Sequence, residues 1–95
     1  MAGYLIADVR VTDPGAYERY RAALSPTLVP YGGRFLVRGG GIEVLEGDCE
    51  LARLVVLEFP SVERAKAWWS SAEYAPLKRL RQRAAQTRLV VVEGV

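Results

Sequence analysis

Any chemistry in this chain has to rest on a few side chains set among apolar ones. Glu58 interrupts the most apolar run of the sequence, Ala52 to Phe59. Strand alternation places it with Leu54 and Val56 on a surface that has to be covered. If the preceding hairpin turns at about Gly47-Asp48, counting outward puts Arg38 opposite residues 57 to 59. A guanidinium beside a covered carboxylate offsets the cost of desolvating it. In a functional reading Arg38 anchors an anionic or carbonyl group, and Glu58 orients that group or acts as a base with a raised pKa. In a structural reading the two form an ion pair that fixes the sheet or a dimer. Asp8 could join them, although a partly solvated strand-edge carboxylate is the plainer role.

The second group is aromatic. Tyr17, Tyr20, Trp68, Trp69 and Tyr74 are five of the nine aromatic residues, and all fall in helical segments. Such rings either line a small-molecule crevice between helices and sheet or simply pack the core with their polar tips satisfied. Tyr17 and Trp68 suit the core, whereas Tyr20, Trp69 and Tyr74 join Arg38 and Glu58 as candidate ligand-binding residues. Arg81, seven residues after Tyr74, is spaced to turn toward the same crevice.

Other chemistries find little support. There is no histidine, which removes the commonest general base and the commonest zinc ligand, so neither metal nor cofactor is expected. Cys49 has no histidine to activate it and no second cysteine to pair with. Gly39-Gly40-Gly41 lacks the Lys-Ser or Lys-Thr and the following helix of a phosphate loop. Lys78, Arg79, Arg81, Arg83 and Arg88 are interleaved with apolar residues, as on an ordinary amphipathic helix. With a net charge of only +2, no nucleic-acid or membrane partner is expected. No apolar stretch approaches the roughly 20 residues of a membrane span, and Met1 leads directly into a strand-like run, so a cytoplasmic location is expected.

The elements that must position these residues follow from period and punctuation. Tyr4 to Val11 alternates as a strand. Asp13 as N-cap and Pro14 at the first helical position open a helix that Pro30 and Gly32-Gly33 end. Arg34 to Arg38 is a second strand, broken by the glycines and resumed through Ile42 to Leu45; Ala52 to Phe59 is the third. Ser61 caps a short helix, a capping box from Ser70 to Glu73 opens another that runs to about Gln86, and Thr87 to Val92 is the last strand. The order is βαββαβ, which is the ferredoxin-like α+β pattern with an antiparallel four-stranded sheet and helices on one face. At 95 residues this makes one domain over residues 1–95. Several strands are apolar on both faces, and the helices cover only one. A homodimer is therefore expected.

Particular stretches carry a resemblance: Tyr31-Gly32-Gly33-Arg34-Phe35-Leu36-Val37-Arg38-Gly39-Gly40, Glu43-Val44-Leu45-Glu46-Gly47, Leu57-Glu58-Phe59-Pro60-Ser61 and Ser71-Ala72-Glu73-Tyr74. Together they resemble domain-of-unknown-function family 1330, over nearly the whole chain. Cys49 and Ala72 depart from the Trp and Pro that this resemblance leads one to expect. The resemblance implies the dimeric α/β-barrel superfamily, in which two ferredoxin-like sheets face each other with helices outside. That superfamily includes cofactor-independent monooxygenases and isomerase-like enzymes, but fold does not carry an activity with it. Three functions follow as expectations: binding of a small anionic or carbonyl-bearing metabolite, cofactor-free turnover with Glu58 as base, or a purely structural dimerisation module.

Overall fold

Strand β1 (Gly3–Val11) runs through the middle of the sheet, and its alternation decides both layers. The computed structural model describes all 95 residues. The elements continue as α1 (Pro14–Leu28), a 3-10 turn (Val29–Tyr31), β2 (Arg34–Arg38), β3 (Leu54–Phe59), α2 (Val62–Trp69), α3 (Ala75–Ala84) and β4 (Ala85–Glu93). The strand order is β2-β3-β1-β4, and every pairing is antiparallel. This is the expected ferredoxin-like α+β arrangement.

The starts of α1 and α2 obey the capping chemistry of the sequence. The Asp13 carboxylate accepts from the Ala16 N–H at 3.1 Å and Pro14 occupies the first turn; the Ser61 hydroxyl accepts from the Arg64 N–H at 3.1 Å. Gly32, at φ 71°, takes the left-handed conformation that closes the 3-10 turn. Leu5 and Val9 of β1 pack with Leu57 and Phe59 of β3 beneath Leu24, Leu28, Ala65 and Trp68 of the helices.

The other face of the sheet has no helix on it. Ile6 lies between Val56 and Val90, and Tyr4 lies between Glu58 and Val92. Val90 is 58% exposed. The expectation of an uncovered, largely apolar face is met.

Several boundaries differ from the expectation, among them the start of β3 at Leu54 rather than Ala52 and the end of α3 at Ala84 rather than about Gln86. Ile42 to Leu45 form no strand, and the whole connection from Gly39 to Arg53 is irregular, with Leu45 88% exposed. Gly39, at φ +73°, turns the chain out of the ladder after a last rung from its N–H to the Leu54 carbonyl at 2.9 Å. Beyond that rung β3 has not begun, so Ile42 has no strand to pair with. The helix expected from Ser70 begins only at Ala75, with Pro76 in its first turn, where a missing N–H costs nothing. Ser71, not Ser70, orders the approach: its hydroxyl donates to the Trp68 carbonyl at 2.7 Å and accepts from the Tyr74 N–H at 3.2 Å. Finally, β4 starts at Ala85, opposite Val11, rather than at Thr87.

Candidate functional site

The expected Arg38–Glu58 pair is not formed. Arg34 stands opposite Glu58, and Arg38 stands opposite Val55. The connection is centred before Gly47, and a bulge between Phe35 and Val37 shifts the register further. The two side chains consequently emerge on opposite faces. Arg38 points under the helices, where its guanidinium lies 4.1 Å from the centre of the Phe35 ring and its Nη2 donates to the Arg21 carbonyl at 2.9 Å.

Glu58 lies on the open face, where it accepts from Arg34 Nε at 2.6 Å and from the Tyr4 hydroxyl at 3.1 Å. The Arg34 guanidinium holds the Glu58 carboxyl below its usual range, with the Tyr4 hydrogen bond adding to the effect. Glu58 is therefore a paired carboxylate and not a base with a raised pKa. Asp8 has the same character toward the other end of that face. Arg88 donates to it at 2.7 Å and the Ala52 N–H at 3.1 Å, and its carboxyl is lowered by the Arg88 bond first.

Tyr20 and Tyr74 do meet. Their hydroxyls are 2.9 Å apart, and Arg81 Nε donates to the Tyr74 hydroxyl at 3.3 Å. The Tyr74 oxygen accepts from Arg81, and either hydroxyl can be the donor in the Tyr20–Tyr74 bond. Tyr74 is 1% exposed, and its ring lies 3.9 Å from that of Trp68. Trp68 is held in turn by donation of its indole N–H to Thr27 Oγ1 at 3.0 Å. Burial, with Tyr74 second, pushes the Tyr20 hydroxyl far above its ordinary value, so it stays a neutral donor.

These groups line a narrow crevice of about 40 Å³ between helices and sheet. Its polar lining is Tyr17, Tyr20 and Tyr74 with Arg21, Arg38, Arg53 and Arg81, and no carboxylate reaches it. Arg21 touches Glu18 at the surface at 3.5 Å. Arg38, Arg53 and Arg81 take part in none of the chain's ion pairs. Arg21 Nε and Arg53 Nε are enclosed without any hydrogen-bond acceptor. Gly39 backs directly onto the Arg53 guanidinium, where any side chain would collide with it. No group of three or more His, Cys, Asp or Glu side chains is placed to hold a metal ion.

Of the five residues singled out by sequence, the crevice unites Tyr20, Tyr74 and Arg38. Trp69 instead stands outside, 40% exposed, in a groove between α2 and β4. Glu58 lies across the sheet. Arg21 and Arg53 were missed: Arg21 is one turn after Tyr17, a helical spacing that pointed to the crevice, but Arg53 follows an irregular connection whose length hid its face.

No curated protein matches the chain. Solved structures do. A protein of unknown function from Rhodopseudomonas palustris is 21% identical with a TM-score of 0.78, over 99% of this chain and 82% of that one. A dimeric ferredoxin-like protein of unknown function from Jannaschia sp. CCS1 is 15% identical with a TM-score of 0.68, over 99% of this chain and 100% of that one. SnoaB, a cofactor-independent oxygenase from Streptomyces nogalater, is 11% identical with a TM-score of 0.65, over 99% and 93%. At these identities the likeness concerns the fold. The family model described as a domain of unknown function, DUF1330, matches residues 2–95, and the chain belongs to that family.

Proposed function

We propose that the chain acts as a homodimeric single-domain binder of a small carboxylate or related oxyanion, whose charged head enters the arginine-lined crevice of each protomer. The observation that carries this reading is charge: four arginine side chains border one mostly apolar crevice, Arg81 buried and the others half-buried, and no carboxylate borders it. Cations withdrawn from water are costly unless a counter-charge meets them, and guanidinium forks match a carboxylate's two oxygens.

Size narrows the ligand. Some 40 Å³ is little more than the roughly 30 Å³ share of one water in the liquid. A carboxylate head fits, and the rest of the molecule has to pass the half-buried Arg21, Arg38 and Arg53. Turnover in this crevice finds no base: its lining holds no carboxylate and no histidine, and the Tyr20 hydroxyl is pushed upward. Ligand binding is therefore favoured over cofactor-free proton abstraction. Homodimerisation through the open sheet face is supported by its apolar centre and by the dimeric state of similar structures.

Calorimetric titration with pyruvate, a minimal carboxylate with a neighbouring carbonyl, tests the crevice. The wild type is expected to bind, and Arg38→Ala to lose at least tenfold in affinity while keeping its fold by circular dichroism. Equal affinity in the variant would remove Arg38 from the site, and unfolding of the variant would assign it a structural role.

A further inference from the structure

The groove that holds Trp69 adjoins the crevice, with which it shares Leu5, Arg81 and Leu89, and is far larger, at about 690 Å³, inside the roughly 300–1,000 Å³ range of small-molecule sites. It runs between α2 and the edge strand β4. Leu5, Ala65, Leu89 and Val91 give it an apolar floor, and the Trp69 indole forms one wall. Its charged lining residues are Lys66 and Arg81, both cationic.

Arg81 is the unusual member. It is 7% exposed, no carboxylate lies within ion-pairing distance, and the Nε bond to Tyr74 is the only hydrogen bond its side chain makes. Its terminal nitrogens are not among the enclosed orphan atoms. They therefore retain some solvent contact, and Arg81 borders both this groove and the crevice. A largely buried cation without a carboxylate partner favours an anion from outside the chain. Trp69 is equally prepared: the Lys78 ammonium sits 3.8 Å from its ring centre and donates to the Trp69 carbonyl at 3.0 Å, which fixes the indole while leaving it accessible.

We infer that this groove is a second ligand site, selective for an aromatic monocarboxylate. The ring lies on the apolar floor against the indole, and the carboxylate meets Arg81 with Lys66 beside it. The inference does not depend on the crevice being occupied, although Arg81 forms part of both walls.

The two tryptophans make the test clean, since Trp68 faces the crevice and Trp69 the groove. In a proton–nitrogen correlation spectrum of labelled protein, the two indole N–H signals are assigned by the loss of one in Trp69→Phe. Titration with 2-naphthoate is expected to move the Trp69 signal saturably, with a dissociation constant on the order of 1 mM for a ligand of this size at ordinary efficiency. The Trp68 signal, tied to Thr27, should stay in place. Neutral 2-naphthamide and the Lys66→Glu variant should each weaken the response at least tenfold. Absence of a saturable Trp69 shift would overturn the inference, as would equal response to the amide or movement of Trp68 alone. A Trp69 signal that follows protein concentration and ignores the probe would also overturn it, because a second copy would then cover the groove. Loss of pyruvate binding in the crevice leaves all these readouts intact, so the two proposals fail separately.

Discussion

Replacing Tyr74 by Phe isolates the polar contacts of the buried relay. The ring is kept, so its stacking on Trp68 and its edge contact with Tyr20 survive. What goes is the one oxygen that serves both Tyr20 and Arg81. A neutral hydrogen bond contributes about 1 kcal/mol, and leaving a buried donor such as Arg81 Nε without an acceptor costs about 1–3 kcal/mol. The expected loss is about 2.5 kcal/mol, which for a chain of this size lowers Tm by about 10–20 °C. Tyr20→Phe breaks only the tyrosine pair and is expected to cost about 1 kcal/mol. The double variant should fall short of the sum, because both single changes remove the same Tyr–Tyr bond. Thermal unfolding followed by circular dichroism, at one fixed protein concentration so that assembly does not shift the comparison, measures all three. A Tyr74→Phe Tm within about 3 °C of wild type, well under 1 kcal/mol by the same scaling, would refute the relay.

Three further outcomes follow from the geometry. Gly39→Ala should lose about 1–2 kcal/mol in urea unfolding, because an L-residue is strained at φ +73° and its Cβ displaces the Arg53 guanidinium; Gly40→Ala, with nothing near it, should be close to neutral. Val90→Glu places a charge on the open face beside Ile6 and should weaken the proposed dimer by about 100-fold in sedimentation equilibrium, since an unpaired charge there cannot be hydrated; an unchanged dimer would put the interface elsewhere. Asp8 and Glu58 both have lowered carboxyl pKa values, so their stabilisation is present above the unfolded carboxylate range near pH ~4 and is lost as pH falls through the lower folded values. Urea midpoints should therefore hold between pH 7 and 5 and decline below pH ~4, and the decline should be shallower in Asp8→Asn with Glu58→Gln.

Local rules made most of the fold readable. Alternation of Leu5, Ala7 and Val9 marked the central strand, Asp13-Pro14 and Ser61 marked helix starts, and apolar residues on both strand faces foretold the uncovered sheet. The misplacement of Arg38 depended on a nonlocal quantity, the path of the chain from Gly39 to Arg53. Assuming a symmetrical hairpin there displaced the register and moved Arg38 to the wrong face relative to Glu58. The same irregular stretch concealed Arg53. Helical spacing carried further: seven residues separate Tyr74 from Arg81, and the two side chains do meet beneath the helices. Trp68 and Trp69 are adjacent, and only packing decides which faces the crevice and which the groove.

Native mass spectrometry with added pyruvate tests the central claim most directly, because one spectrum counts both protomers and ligands. The account predicts a dimer of the 10.5 kDa chain that takes up one carboxylate per protomer, with uptake lost in Arg38→Ala. A monomer at micromolar concentration, or a dimer that binds equally well without Arg38, would contradict it.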